Sequence, residues 1–140
     1  MPDTVIRNAT IIDGTGAPRF VGDVSIEDGH IAEIGEISGS SADLEVDATD
    51  LVLAPGFVDV HTHDDGALVQ HPDMTFKVSQ GCTSVVVGNC GFSAIPAITG
   101  ENTLDLSGVE ASWSDLDGYR DAVEGSNPAV NAMMLVGHNT

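Results

Sequence analysis

Residues 57–63, FVDVHTH, constrain this chain most. They read as a short apolar strand that runs straight into a pair of histidines, and they open a strand–helix–strand–helix–strand series. Pro72-Asp73 punctuates the chain next, and residues 74–80 read as a helix capped by Asp73 and ended by Gly81. The β-branched run at 83–87 is consistent with a strand buried on both faces. A glycine-containing loop is expected at roughly 91–111. Ser112-Trp113-Ser114-Asp115 resembles a capping box opening a helix to about Glu124, with Trp113 and Tyr119 packing on one of its faces. Residues 129–136 form the third buried strand. This alternation implies parallel strands joined by right-handed crossovers, an α/β class.

The first 55 residues have a different character. Residues 4–12 read as a strand, and Asp13-Gly14-Thr15-Gly16 turns the chain. Asp28-Gly29 separates two alternating apolar runs within 21–34, a strong hairpin signal. A polar loop at 38–43 precedes short strands at 44–46 and 51–54. Residues 1–55 are therefore expected as a small β unit and 56–140 as a separate α/β unit.

Of 140 residues, 22 are Asp or Glu and 4 are Lys or Arg, a formal net charge of −18. The one lysine is Lys77. Such a chain offers no basic patch for nucleic acid or an anionic membrane. The acidity fits a solvated, halophile-like surface better than a cation-binding face. No signal peptide is visible, and no run approaches about 18 apolar residues, so a cytoplasmic protein without a membrane span is expected. Cys82 and Cys90 do not pair: the intervening strand, at about 3.3 Å per residue, holds them too far apart for a disulfide. Cys82 reads as a packing residue. Gly14-Thr15-Gly16 lacks the third glycine and the helix of a dinucleotide fingerprint.

His61 and His63 carry the first chemical signal. Residues i and i+2 of a strand share a face, so both imidazoles can reach one ion, although such a pair also arises by chance in a chain with five histidines. In parallel α/β folds, ligands gather at the carboxyl ends of strands. Cys90 follows the next strand and could meet the same ion, yet spacing alone favours a small buried cysteine. Asp64 and Asp65 could orient an imidazole, but beside Gly66 they read more simply as solvated loop carboxylates. His138 ends the third strand, where either a functional or a hydrogen-bonded structural role fits. His30 and His71 read as surface residues.

Together these segments look familiar. Pro55-Gly56-Phe57-Val58-Asp59-Val60-His61-Thr62-His63 resembles the first barrel strand of the amidohydrolase superfamily. His61-Thr62-His63-Asp64-Asp65, Ser79-Gln80-Gly81-Cys82-Thr83 and Val87-Gly88-Asn89-Cys90-Gly91-Phe92-Ser93 resemble the N-acyl-D-amino-acid deacylases (D-aminoacylases). Pro128 to Ala132 and Val136-Gly137-His138 continue the likeness. The resemblance implies about three strands of a (β/α)8 barrel preceded by a small β-sandwich segment. It implies His61, His63 and Cys90 as zinc ligands, with one or two ions in the complete enzyme. Asp64, Asp65 and His138 become candidate supporting or substrate residues. The implied reaction is hydrolysis of the amide of an N-acyl-D-amino acid by metal-activated water. The family's other ligands and its aspartate base would lie beyond residue 140. The expectation is thus an N-terminal piece, inactive alone and completed by another chain or by self-association. The alternatives are a cyclic-amide amidohydrolase of the dihydropyrimidinase or hydantoinase kind and a non-catalytic remnant.

Overall fold

The computed structural model describes residues 1–39, 41–95 and 113–138. The chain packs as two units, Met1–Pro55 and Gly56–Thr140.

The first unit is one five-stranded sheet. Its strands are β1 (Thr4–Ile11), β2 (Phe20–Glu27), β3 (His30–Gly35), β4 (Leu44–Asp47) and β5 (Val52–Leu53). The order is β3-β2-β1-β4, and β5 also pairs with β1. β1 runs antiparallel to β2 and parallel to β4 and β5. Asp28 and Gly29 both take positive φ (51° and 74°), the geometry of the two-residue hairpin turn that matches strand twist. β1 carries a bulge: Ile6 pairs with Val24, but Ala9 pairs with Gly22. The extra residue inverts the alternation, so Ile6 packs on the same cluster as Ala9 and Ile11. Asn8 sits in the bulge at φ 58°. Asp23 takes up the groups this distortion frees, accepting from the Asn8 N–H at 2.9 Å and from Arg7 at 3.1 Å. The Asn8 N–H and the Arg7 guanidinium outweigh desolvation and hold the Asp23 carboxyl below the usual range. A single sheet, rather than a sandwich, makes up this unit among the described residues.

The second unit contains the parallel sheet β6 (Phe57–Asp59), β7 (Cys82–Val87) and β8 (Asn131–Met134), in that order. Helices α1 (Ala67–Gln70), α2 (Thr75–Val78) and α3 (Leu116–Ser126) belong to the same unit. The core joins Val85 and Val87 to Leu68, Met74, Ile95, Trp113, Tyr119 and Val123. Val85 and Val87 thus face this core, while Ser84 and Val86 alternate onto the other face of the sheet and are half-buried.

Three helix expectations also change. α1 was not anticipated; it has four residues, too few to show a period. α2 is capped by Met74, held at φ 42° and fully buried, while Asp73 accepts from the Thr75 hydroxyl at 2.9 Å and not from the helix backbone. α3 begins at Leu116, with Asp115 itself as N-cap accepting from the Gly118 N–H at 2.9 Å. Ser112 and most of the expected 91–111 loop lie outside the described residues. α3 ends at Asn127 in the left-handed region, a common helix stop.

Three hydrogen bonds tie the loops above this core together. The Tyr119 hydroxyl donates to the Asp65 carbonyl, the Trp113 indole to the Ala94 carbonyl, and the Ala94 N–H to the Asp65 carboxylate, each at 2.9 Å. Burial pushes the Tyr119 phenol well up, so it remains a donor at neutral pH. Tyr119→Phe keeps the ring and removes one buried donor. It is expected to lower the unfolding free energy by about 1 kcal/mol. Tyr119→Ala is expected to cost about 3–5 kcal/mol. Urea titration of the three chains checks both values.

Candidate metal centre

The ladder between β6 and β7 stops at Asp59, short of the histidines. Side chains take over from there. The Asp59 carboxylate accepts from the His61 N–H at 3.3 Å, which turns the chain out of the strand. The Asn89 amide donates to the Val60 carbonyl at 2.8 Å and to the Val86 carbonyl at 3.2 Å. The Thr62 N–H donates to Val86 at 3.3 Å. One amide thus bridges the ends of two neighbouring strands, immediately before His61 on one side and just before Cys90 on the other.

The turn after β7 is made from left-handed residues. Gly88 has φ 86°, Cys90 φ 61° and Gly91 φ 80°. A Cβ on Gly88 would lie 2.2 Å from the carbonyl oxygen of Leu135, the residue that follows β8, so the site leaves room for glycine alone. Cys90 has no such excuse. A non-glycine residue in this region costs about 1–2 kcal/mol, and the conformation directs the thiol towards His61.

The result is a cluster of three donors. One ligand atom from each of His61, His63 and Cys90 lies within 4.8 Å of the other two. His61 Nε2 is 2.8 Å from Cys90 Sγ, and the two imidazole rings meet edge-on with centroids 5.8 Å apart. Donors sharing a tetrahedral zinc stand roughly 3.3–3.8 Å apart, so the set fits one ion after movements below about 1 Å. Two imidazoles and a thiolate suit zinc and other borderline metals and suit calcium or magnesium poorly. All three residues are exposed, so water and small molecules reach them. Exposure also overturns the spacing-based view of Cys90 as a buried cysteine.

The neighbouring carboxylates are not solvated. Asp65 is 2% exposed and accepts from Ala94; burial pushes its carboxyl up, partly offset by that N–H and by nearby His63. Asp64 accepts from the Thr62 hydroxyl at 2.6 Å and pairs with Lys77 at 2.9 Å. Lys77 also pairs with Asp59 at 2.7 Å. Its ammonium hydrogen bond, followed by the His61 N–H, holds the Asp59 carboxyl below its usual range. Burial pulls Lys77 down, but the two carboxylates win and its net shift is upward. His138 lies past β8, exposed and outside the three-donor group; His30 and His71 are exposed. Lys77, Asn89 and Asp59 had no role in the sequence reading. The available signals were a single lysine in a strongly acidic chain and an asparagine inside the Gly88–Gly91 turn.

The turn makes a specific demand on stability. Gly88→Ala is expected to lower the unfolding free energy by about 2–4 kcal/mol through the carbonyl clash and the positive φ. Gly125→Ala, in open space on α3, is expected to raise it by about 0.5–1 kcal/mol. Paired urea titrations separate the two.

Known proteins resemble this chain in sequence and fold over nearly its whole length. The amidohydrolase family matches residues 44–140. N-acyl-D-glutamate deacylase of Alcaligenes xylosoxydans xylosoxydans is 45% identical over 97% of this chain, and D-aminoacylase of the same organism is 42% identical over 99%. The chain spans 28% and 29% of the length of these two relatives. Among solved structures, D-aminoacylase, studied for its binuclear metal centre, superposes with TM-score 0.88 at 41% identity, covering 99% of this chain and 30% of that one. N-acyl-D-glutamate deacylase of Bordetella bronchiseptica, in complex with zinc and a phosphonate mimic of the tetrahedral intermediate, superposes with TM-score 0.86 at 42% identity, covering 98% and 30%. L-hydantoinase of Arthrobacter aurescens shares the fold over 62% of this chain and 20% of its own, with TM-score 0.50 at 21% identity. Among the described residues, no helix is long and apolar enough to cross a membrane. The chain belongs to the amidohydrolase family.

Proposed function

We propose that His61, His63 and Cys90 hold zinc, and that the protein to which they contribute hydrolyses the amide bond of N-acyl-D-amino acids. The observation that carries this reading is the convergence of two imidazoles and a thiol within 4.8 Å, in a chain 42–45% identical to two deacylases of such substrates. Cys90 favours a deacylase-type centre over a hydantoinase-like one.

Zinc at such a site lowers the pKa of bound water and polarises a carbonyl. The chain's own residues do the rest. His61 and His63 present ring nitrogens, and Cys90 presents sulfur, all open to solvent. Asn89 fixes the spacing between the two strand ends. Asp64 and Asp65 remain bound to Lys77, Thr62 and Ala94 and serve the shape of the loop. His138, at the same end of the sheet, is proposed to face substrate. Further ligands, the catalytic base and the closing strands of a (β/α)8 barrel and β-sandwich are proposed to come from outside the described residues, in the same protein or a complementing chain. Hydrolysis by these 140 residues alone is not expected.

Two measurements test this. Dialysed against zinc, the chain is expected to retain about one ion per molecule, and Cys90→Ala is expected to weaken retention at least about tenfold. Substituted for the matching segment of the Alcaligenes N-acyl-D-glutamate deacylase, the chain is expected to support release of a D-amino acid from its N-acetyl derivative, with the L-enantiomer spared. Zinc retention unchanged by Cys90→Ala would remove the proposed centre. An inactive but folded and zinc-loaded chimera would remove the proposed reaction.

A further inference from the structure

We infer that Lys77 is the positioning residue for the histidine pair, holding the segment from Asp59 to Asp64 in a conformation that presents imidazole nitrogen, rather than the carboxylate oxygens Lys77 binds, to an ion beside Cys90. The inference rests on the metal reading above.

An ammonium has three donors. All three of Lys77's are occupied by one short segment: the Asp59 carboxylate at 2.7 Å, the Asp64 carboxylate at 2.9 Å and the Thr62 hydroxyl at 3.2 Å. Asp59 lies two residues before His61, Asp64 directly after His63, and Thr62 between the two. A single charge on α2 therefore pins both ends and the middle of a stretch that runs beyond the strand ladder and is joined to β7 by the Thr62 N–H to Val86 carbonyl bond. Lys77 is 16% exposed at its side chain and Asp64 15%, so neither is a solvated surface charge.

The same contacts engage three of the four oxygens of these two carboxylates. Asp59 uses one oxygen on Lys77 and the other on the His61 N–H. One Asp64 oxygen accepts from both Lys77 and the Thr62 hydroxyl. With the ammonium removed, two carboxylates flanking the histidines would lose their common counter-charge and repel each other. Either could then swing towards a cation and displace the His–Cys arrangement.

Cobalt(II) replaces zinc as a coloured probe, and its thiolate-to-metal charge-transfer band reports Cys90 directly. The full chain is titrated with cobalt(II) alongside Lys77→Met, Lys77→Arg and Thr62→Val. Lys77→Met is expected to raise the cobalt dissociation constant about 10–100-fold and to weaken the thiolate band at saturation. Lys77→Arg retains the charge and is expected to remain within about threefold of the parent. A lysine that merely stabilised the fold would shift the urea midpoint and leave the band at saturation intact. Should Lys77→Met fail to fold, Thr62→Val carries the test, with an expected rise of about 3–10-fold. A folded Lys77→Met, or in its place Thr62→Val, with the parental constant and band overturns the inference while the metal reading stands. A parent chain that binds cobalt without any thiolate band overturns both.

Discussion

One asparagine amide carries much of this structure's chemistry. Asn89 reaches from the turn after β7 to the carbonyls of Val60 and Val86, at 2.8 and 3.2 Å. Neighbouring parallel strands run about 4.8 Å apart, but only as far as their ladder extends. The β6–β7 ladder ends at Asp59, and beyond it the Thr62 N–H to Val86 carbonyl bond, at 3.3 Å, is the backbone link between the two strand ends among the described residues. The amide extends the pairing by one step, and the left-handed Gly88 and Cys90 bend the thiol back over the strand end. The 2.8 Å approach of His61 Nε2 to Cys90 Sγ follows from these two devices together.

Charge shapes the same region. With 22 carboxylates and four cationic side chains, each cation has many possible partners, and its location is informative. Arg7 is drawn into the bulge of β1, where it meets Asp23 and Glu45. Arg120 lies on the open face of α3 beside Asp117, Asp121 and Glu124, in exposed pairs that contribute little to stability. Lys77 alone is drawn beneath the histidine segment. A chain of this composition would tend to solvate Asp59 and Asp64, or to offer them to a cation. The ammonium converts them into internal supports.

The parts of the fold with a local cause were legible in the sequence. Asp28-Gly29 announces its hairpin because both residues tolerate positive φ, and the β-branched run before Gly88 announces a strand. The histidine pair and Cys90 could be placed at neighbouring strand ends by topology, and the likeness to deacylases named them together. What escaped depends on contacts distant in sequence. Asp65 looked like a loop carboxylate beside Gly66; it is buried because the backbone of Ala94, 29 residues on, offers it an N–H. Met74, apparently the first residue of a helix, is the fully buried cap of α2. The Asn8 bulge inverts the faces of β1, and its stabilising group is Asp23 on the next strand. Lys77 has no local motif at all, and its role emerges only when α2 is laid beside the strand end.

In the proposed centre, His61, His63 and Cys90 bind one metal ion through two nitrogens and one sulfur. Zinc-edge X-ray absorption on the zinc-loaded chain measures this set directly. The expected spectrum has one sulfur at about 2.3 Å and nitrogen at about 2.0–2.1 Å, with remaining positions filled by oxygen or nitrogen. A first shell of oxygen and nitrogen without sulfur would contradict the account, because the turn that strains Cys90 towards His61 would then have no part in holding the ion.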